Sequence, residues 1–467
     1  MENLFTEENV QQAIDALTCE TAPGIGGWPA LFYKVIGKRI DKHDTTRNTL
    51  VKDQPSALAA VLAKVFITMA GKKELIPEMV DSTVSLIYKD KGKRTDMGKY
   101  RPIAVNSIIY RIMAKTIVVA IGPLLSTVTS ANQKAFKPGE LLSDNTRQVQ
   151  DIIKYCEDAQ IPGMILFADQ DGAYPRVNWE YLFEVMEAMN FNPEFISLIK
   201  TMYTGVTLHF KINGVIDTNS AHPKNGIAQG CPASPCLYLL CIQGLISLLK
   251  RDQLRPNGIK GIEVPSKSTS PQHEIASVSC FADDLCLFLK DTNQLPRFKQ
   301  LLEVYEEGAG ALNSWEKTEG MRIGSSIGET TLPTGWKEGE DIVTSSGIIR
   351  YLGIFLGTND EVAKKWLQRT TKRIKDKANI WRERRMPKTR AGRGTAIKNS
   401  ILAQAWFLVE NQTPADIEQM MESWRKEAWS FYGNHTSRTN CSTNISHTTL
   451  IQDYPEGGQR APDVENF

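Results

Sequence analysis

Several features that would assign a protein to a familiar class are missing from this sequence. None of its eight cysteines forms a CxxC pair, so their spacing reveals neither a zinc ribbon nor a disulfide framework. Cys231, Cys236 and Cys241 lie five residues apart, which fits no usual set of metal ligands and suits thiols in an apolar core. Reduced cysteines favour an intracellular compartment.

The sequence also lacks the signals of secretion and of membrane insertion. Its first residues are acidic and do not form a secretory signal pattern. No apolar run approaches the roughly 20 residues that span a bilayer. We therefore expect an intracellular protein, nuclear or cytoplasmic, with no membrane partner.

Positive charge is nearly balanced overall but concentrated in one stretch. The net charge is +2, yet residues 361–398 carry 14 Lys or Arg against 3 acids, and the rest of the chain carries 41 against 50. Such a basic segment beside acidic clusters is typical of a protein that binds a phosphate backbone and chelates metal. The alternative is a soluble bundle with a solvated basic face, because helices are predicted at Glu361–Arg385, about Thr395–Glu410 and Ala415–Trp429.

One pair of carboxylates stands between two apolar runs. Ile275–Ala282 and Leu285–Leu289 have the length and composition of strands, and the break at Asp283-Asp284 predicts a β-hairpin with the acids at its tip. Burying such charges unpaired is costly, and a divalent cation such as Mg²⁺ would offset that cost. An exposed acidic turn is equally compatible with this stretch alone.

A further acid follows another apolar strand. Met164–Ala168 leads directly into Asp169, and Asn178 can cap the helix that comes next. A strand that places Asp169 beside a hairpin carrying Asp283 would form the paired carboxylates of a two-metal phosphoryl-transfer site.

Seven stretches that occur in one order share their residues with known sequence boxes. Two of these stretches are Phe281-Ala282-Asp283-Asp284 and Asn225–Pro235, the second of which contains the pattern Gln-Gly-x-Pro-x-Ser-Pro. The other five are Ala22–Lys34, Tyr100–Lys115, Gln133–Asn145, Asn313–Thr318 and Tyr351–Ile354. Together they resemble the boxes of reverse transcriptases, specifically those of non-LTR, LINE-type retrotransposons, and the resemblance spans about Glu8 to Pro462.

The resemblance implies an α+β right-hand polymerase with fingers, a ferredoxin-like palm of antiparallel sheet plus helices, and a helical thumb. The implied division is an N-terminal extension at 1–40, fingers at 41–162, a palm with the catalytic site at 163–357, a basic helical thumb at 358–435, and a polar tail at 436–467. We expect that tail to be disordered because of its composition. The endonuclease of this family would lie upstream, and we do not find it in this sequence.

The implied activity is that of an RNA-directed DNA polymerase, a nucleotidyltransferase. Asp169, Asp283 and Asp284 would be catalytic and would hold two Mg²⁺ ions, which Mn²⁺ could replace. The implied partners are an RNA template, a DNA primer and deoxynucleoside triphosphates, within a ribonucleoprotein formed with the element's RNA.

The resemblance also implies roles for residues around the carboxylates. Tyr174 would be the steric gate that excludes a 2′-hydroxyl, and Lys317 would approach the triphosphate as a proton donor. The residues implied to bind the nucleotide are Arg101, Arg111, Tyr174, Gln229 and Lys317. Those implied to bind template or primer are Gly230, Pro232, Lys372, Arg373, Lys377 and Arg393.

Three positions depart from the pattern of the family. Pro175 stands where Asp is usual, Ala228 where a basic residue is usual, and Gly172 replaces a common Lys. Pro175 is also expected to push Tyr174 away from the α region. These departures leave open a catalytically decayed remnant that only binds nucleic acid, and we expect activity that is low rather than absent. An RNA-directed RNA polymerase is a further alternative, which Ala282 and Tyr174 disfavour.

Overall fold

The computed structural model describes residues 1–38, 54–90, 92–265, 273–337, 342–344, 348–357, 361–384, 386–411 and 414–433. The chain divides into two units. The first contains Met1–Leu141, Leu166–Thr318 and Thr331–Val343, and the second contains Leu142–Ile165, Glu319–Thr330 and Thr344–Phe467. The predicted tail at 436–467 lies outside the described residues, and the predicted fingers, palm and thumb boundaries stay predictions.

The first unit combines helices with short strands. Its helices are α1 (Glu7–Asp15), α2 (Ala30–Ile36), α3 (Ala57–Lys72), α4 (Pro77–Val80), α5 (Ile108–Val128), α7 (Ala173–Arg176), α8 (Trp179–Ala188), α9 (Pro193–Tyr203), α10 (Ser234–Gln253) and α11 (Leu295–Ala309). Its strands are β1 (Asp81–Tyr88), β2 (Tyr100–Asn106), β4 (Thr207–Ile212), β5 (Val215–Ala221), β6 (Ile262–Pro265), β7 (His273–Ala276), β8 (Val278–Phe281) and β9 (Asp284–Leu289). Short 3₁₀ helices cover Met97–Lys99, Thr292–Gln294 and Trp315–Lys317.

One sheet of the first unit has the strand order β2-β1-β4-β5. Strand β1 is antiparallel to β2, with Ser82 opposite Asn106, and parallel to β4. Strands β4 and β5 form a hairpin whose turn residues, Asn213 and Gly214, have φ values of 50° and 88°. Asn-Gly tolerates positive φ at both positions, which this tight turn requires, and this placement of the turn follows from the sequence.

The second sheet brings the acidic hairpin beside another strand. Strand β3 (Gly163–Ala168) pairs with β9, and β9 pairs with β8. Strands β8 and β9 are antiparallel with Phe281 opposite Asp284, so the hairpin predicted at this position is present. The run predicted as one strand at 275–282 breaks at Ser277, because β7 pairs with β6 while β8 pairs with β9.

Helix α5 contradicts the expectation that no apolar run approaches membrane-spanning length. It contains 21 residues and is apolar enough to cross a membrane by length and composition. More than half of that stretch is buried within the fold, and Ile112, Met113 and Ile117 are fully buried. One such helix is weak evidence for a membrane segment, because core helices show the same pattern.

The second unit is mainly helical. It contains α6 (Leu142–Ala159), β10 (Glu319–Ile323), β12 (Ile348–Tyr351), β13 (Ile354–Gly357), α12 (Glu361–Glu383), α13 (Arg390–Ala396), a π-helical segment (Ile397–Ile401), α14 (Ala403–Glu410), α15 (Pro414–Gly433) and a 3₁₀ helix (Gly324–Ser326). The unit boundary falls within β3, after Ile165, and within β11 (Val343–Thr344). Helices and mainly antiparallel strands occur together in the described residues, which confirms the predicted α+β class.

The basic helix α12 buries apolar side chains along its length. Trp366 and Ile374 are buried, and Trp366 Nε1 donates a hydrogen bond to Phe355 O at 3.1 Å. The helix predicted from about Thr395 to Glu410 is instead divided into α13, the π-helical segment and α14.

Candidate active site

Strand β3 positions Asp169 at the point where the chain leaves the core. All six residues of β3 are buried, whereas Asp169 is only partly buried. The main chain around Asp169 is fixed from one side, because Ser314 N donates to Asp169 O and Asp171 N donates to Leu312 O, both at 2.8 Å. The carboxyl group is therefore held at the end of a rigid strand.

The hairpin tip brings two more carboxyl groups close to Asp169. Burial and the charge of Asp169 raise the pKa of Asp283. Burial, followed by the charges of Asp283 and Asp169, raises the pKa of Asp284 to about 7, although its side chain reaches solvent. The charge of Asp169 disfavours ionisation of both hairpin acids, so the structure brings together the three predicted catalytic acids.

The chemistry of this donor set fits a divalent cation. Oxygen ligands suit Mg²⁺, which usually binds one or two carboxylates and completes its shell with water and substrate phosphates. A cation would relieve the repulsion that raises the pKa values of Asp283 and Asp284. In the part of the chain that the structure describes, no group of three or more His, Cys, Asp or Glu side chains is arranged to hold a metal ion by itself.

Tyr174 lies beside the acids, in a short helix. The helical turn α7 includes Tyr174, so the expectation that Pro175 pushes it out of the α region is wrong. Pro175 is the third residue of α7, where a missing N–H costs no intrahelical hydrogen bond. Burial, followed by the charge of Asp283, raises the pKa of the Tyr174 hydroxyl.

The ring of Tyr174 packs against a second tyrosine, Tyr238. The rings of Tyr174 and Tyr238 are stacked, with centroids 5.0 Å apart and an angle of 10° between planes. Tyr238 is buried in α10, and its hydroxyl donates to Gln170 Oε1 at 2.7 Å. Sequence reasoning missed Tyr238, because it is one of many apolar residues in α10 and only the fold places it under Tyr174.

The segment predicted to bind the template, Asn225–Pro235, is fixed to strand β2. Ala104 N donates to Gln229 O at 2.7 Å, and a Cβ atom on Gly230 would lie 2.3 Å from Ala104 O. Gly230 has φ of 117°, which side chains rarely tolerate. The close approach that requires glycine is thus to the protein's own strand, and contact of Gly230 and Pro232 with a template stays a prediction.

The three cationic residues predicted to meet the nucleotide have different surroundings. Lys317 is largely exposed, and its Nζ lies 3.4 Å from Asp169 Oδ2, so it forms an ion pair at the acidic cluster. Arg101 is exposed on β2. Arg111 is partly buried in α5, where its Nη1 lies 3.5 Å from Ala22 O and burial lowers its pKa.

Helix α12 in the second unit presents the predicted basic side chains. Lys372 and Arg373 are exposed and Lys377 is partly exposed. Burial, followed by repulsion from Arg350 and Arg373, lowers the pKa of Arg369. Arg350, on β12, was not predicted, and it adds to a cluster of like charges that a bound phosphate would stabilise.

Arg393 requires a correction. It was predicted to bind template or primer, but its side chain is buried. Its Nε donates to Tyr432 O at 2.7 Å, and its Nη1 donates to Pro387 O and Lys388 O at 3.2 and 3.0 Å. The guanidinium group is therefore occupied in holding α13 to the end of α15 and to the preceding loop, which argues against a phosphate contact.

Comparison with known families identifies the chain. A family model described as "Reverse transcriptase (RNA-dependent DNA polymerase)" matches residues 88–356, more than half of the sequence. The chain belongs to the reverse transcriptase family. The predicted enzyme class, the RNA-directed DNA polymerases, is the one that describes this family. Reverse transcriptases generally use divalent metal ions.

This reverse transcriptase is also similar to a curated transposon protein. It is 26% identical over 407 residues to the "Transposon TX1 uncharacterized 149 kDa protein" of Xenopus laevis, a match that covers 87% of this chain and 28% of the relative. The chain thus spans less than a third of that relative's length. The predicted LINE-type, non-LTR class stays a prediction, which this similarity to a transposon protein supports.

Two telomerase structures also share similarity with this reverse transcriptase. Apo telomerase of Candida tropicalis, truncated from its C-terminal domain, is 14% identical with a TM-score of 0.38 and coverage of 70% of this chain and 64% of that one. Telomerase of Candida albicans in complex with a TWJ fragment of telomeric RNA is 12% identical with a TM-score of 0.38, and the coverage is 88% and 68%.

Proposed function

We propose that this reverse transcriptase extends a DNA primer on an RNA template by phosphoryl transfer at Asp169, Asp283 and Asp284, with two Mg²⁺ ions as cofactor. The observation that supports this proposal is the meeting of the three acids at the end of β3 and the tip of the β8–β9 hairpin, where burial and the charge of Asp169 raise the pKa of both hairpin acids. Mn²⁺ would serve the same oxygen ligands.

Each acid would act as a fixed ligand rather than as a proton carrier. When bound, the metal ions would neutralise phosphate charge and lower the pKa of the primer 3′-hydroxyl. Asp169, which follows β3, and Asp283, at the hairpin tip, would bind and orient the ions. Asp284 would add a third negative charge beside them. Lys317, whose Nζ lies 3.4 Å from Asp169 Oδ2, would give a proton to the oxygen of the leaving pyrophosphate.

The sugar of the incoming nucleotide would be selected by Tyr174. Its ring is held by stacking on the buried ring of Tyr238, so it cannot yield easily to a 2′-hydroxyl. Deoxynucleoside triphosphates would therefore be preferred over ribonucleotides. Arg101 and Arg111 would meet the triphosphate, with Arg101 the more accessible of the two.

Template and primer would be bound by a polar segment and a basic helix. Gln229, Gly230 and Pro232 would face the template strand near the new base pair. Exposed cations of α12 would contact the phosphate backbone without reading sequence, which is the usual role of Lys and Arg at duplexes. These cations are Lys372, Arg373 and Lys377. A complex with the element's own RNA fits the similarity to a transposon protein.

Primer extension with Asp283→Asn tests the site. The substitution keeps the shape of the side chain and removes one charge, so we expect extension to fall by orders of magnitude while primer–template binding changes little. Asp291→Asn is the matched control, because Asp291 lies exposed after the other end of β9 and caps a short helix through an oxygen that Asn also has. Near-parent extension by Asp283→Asn would overturn the assignment.

The same assay separates the alternative functions. A decayed remnant would bind primer–template and extend with neither dNTPs nor NTPs, and an RNA-directed RNA polymerase would prefer NTPs. The departures at Pro175 and Ala228 leave all three acids in place, and α7 accommodates Pro175. We therefore expect dNTP extension that is slow but measurable.

A further inference from the structure

We propose that Gln133 is a positioning residue that holds the catalytic hairpin turn, and through it Asp283, in the active geometry. This inference rests on the proposed function, since it concerns the acid at 283. Gln133 was part of a matched box, but no role followed from its sequence position. In the structure it lies far along the chain from the hairpin and is fully buried against it.

The turn that carries Asp283 needs external support. Its first loop residue, Ala282, has φ of 56°, in the left-handed region that residues other than glycine usually avoid. Ala282 is buried, so water cannot stabilise this backbone conformation. An alanine left to its own preference would change φ and rotate the following residue, which is Asp283.

Gln133 supplies hydrogen bonds to both sides of this residue. Its Oε1 accepts from Ala282 N at 3.0 Å, and its Nε2 donates to Ala282 O at 3.2 Å. Nε2 also lies 3.2 Å from Cys280 Sγ. A single amide therefore binds the N–H and the C=O of the strained residue, a pattern that stabilises one turn conformation over the alternatives.

The amide is itself held firmly. Lys134 N donates to Cys280 O at 3.1 Å and Cys280 N donates to Asn132 O at 2.8 Å, so residues 132–134 run beside β8 as a short parallel bridge. Lys137 Nζ donates to Gln133 O at 2.7 Å, and Ala135 N donates to Gln133 Oε1 at 3.0 Å. These hydrogen bonds fix the main chain of Gln133 and the oxygen of its side chain, so the side chain stays beside the turn.

The test compares Gln133→Met with Gln243→Met. Gln243 is the matched control, because it is also a buried glutamine that bonds the same loop, at Ser130 N, and it has no hydrogen bond to the hairpin turn. We expect Gln133→Met to lower kcat for dNTP incorporation by about tenfold or more, corresponding to about 1.4 kcal/mol. KM should change less than twofold, and Gln243→Met should leave kcat within threefold of the parent.

Two further measurements exclude a general loss of stability. In the metal-free protein, the amide of Ala282 should exchange with solvent about tenfold faster in Gln133→Met and at the parent rate in Gln243→Met, as measured by mass spectrometry of the hairpin peptide. Ala282→Gly should restore kcat of Gln133→Met at least threefold, because glycine adopts positive φ without support. A structural defect elsewhere would not respond to that second change.

The inference is overturned if Gln133→Met has the same kcat as Gln243→Met, or if Ala282→Gly brings no recovery. Should Gln133→Met fail to fold, Gln133→Glu decides by the same criteria, because it keeps the volume and the acceptor but loses the donor to Ala282 O. The variant Asp283→Asn, assayed in parallel, distinguishes failure of the proposed function from failure of this inference. If it stays active, the proposed function fails; if it is inactive while Gln133→Met matches its control, only this inference fails.

Discussion

Gly230→Ala would test how the segment predicted to bind the template is held against β2. A Cβ atom at position 230 would lie 2.3 Å from Ala104 O, closer than real Cβ atoms come, so one of the two main chains must move. Movement would break the 2.7 Å hydrogen bond from Ala104 N to Gln229 O. The predicted nucleotide contact of Gln229 would move with it.

The free-energy cost can be worked from three contributions. The backbone at φ of 117° costs a non-glycine residue about 1–3 kcal/mol. Losing the hydrogen bond costs about 0.5–1.5 kcal/mol more. Replacing glycine by alanine also lowers the entropy of the unfolded chain, which stabilises the folded state by about 0.4–1 kcal/mol. We therefore expect the free energy of unfolding to fall by about 2–3 kcal/mol, together with a higher KM for the nucleotide.

Gly205→Ala is the control that isolates the steric term. Gly205 also has positive φ, at 72°, but no atom lies within 4 Å of its Cβ position. Gly205→Ala should lower the free energy of unfolding by about 1 kcal/mol after the same entropy correction, and it should leave KM for the nucleotide unchanged. Chemical denaturation and steady-state primer extension measure both quantities. If Gly230→Ala loses no more stability than Gly205→Ala and keeps the parent KM, the contact between this segment and β2 does not position Gln229.

Three more predictions concern the sugar, the duplex and the metal. Tyr174→Val should admit ribonucleotides, because it removes the ring expected to occupy the place of the 2′-hydroxyl, and incorporation of NTPs by primer extension measures this. Replacing Lys372, Arg373 and Lys377 with Ala should weaken duplex binding equally for every sequence, and the salt dependence of log K measured by fluorescence anisotropy should flatten by about 0.7–0.9 for each phosphate that the variant no longer neutralises. Because Asp284 has a raised pKa of about 7, the metal-free fold gains stability from its protonated form at low pH and loses it as pH rises through 7. Mg²⁺ must displace that proton, so its affinity by calorimetry should rise by up to about tenfold per pH unit between about pH 5 and 7.

Each of these predictions has a control variant or a result that would refute it. Tyr174→Phe keeps the ring and should keep the parent preference for dNTPs; NTP incorporation by Tyr174→Val at the parent level would show that Tyr174 is not the gate. An unchanged salt slope in the triple variant would place the duplex elsewhere. Asp284→Asn removes one titrating acid and leaves Asp283, so its Mg²⁺ affinity should depend less steeply on pH than that of the parent. A pH-independent affinity in the parent would refute the role given to Asp284.

Short-range patterns in the sequence were sufficient to predict the local elements that carry the site. The two apolar runs around Asp283 predicted the hairpin, and Asn213-Gly214 predicted a turn that the backbone makes at positive φ. Asn178 accepts from Glu180 N and Tyr181 N at the start of α8, as its capping position predicted. Each of these features depends on residues a few positions apart, so propensity and spacing decide them.

Sequence patterns were least reliable where one segment can be used in more than one way. The run at 275–282 reads as one strand, but its two halves pair with different partners, β7 with β6 and β8 with β9. Arg393 looks like a phosphate ligand in a basic segment, yet three main-chain carbonyls surround its guanidinium group. A charge run records composition alone, whereas burial depends on which elements pack around each side chain.

The sequence by itself determined the acids, their strands and, through the order of the boxes, the family. Only the tertiary structure decided which residues support those acids. Gln133 meets Ala282 across 149 positions, and Tyr238 meets Gln170 across 68. Glycine is needed at 230 because the carbonyl of Ala104 lies where a Cβ atom would stand. Such contacts join residues that are distant in sequence, so no local period encodes them, and they exist only once the sheets have brought their strands together.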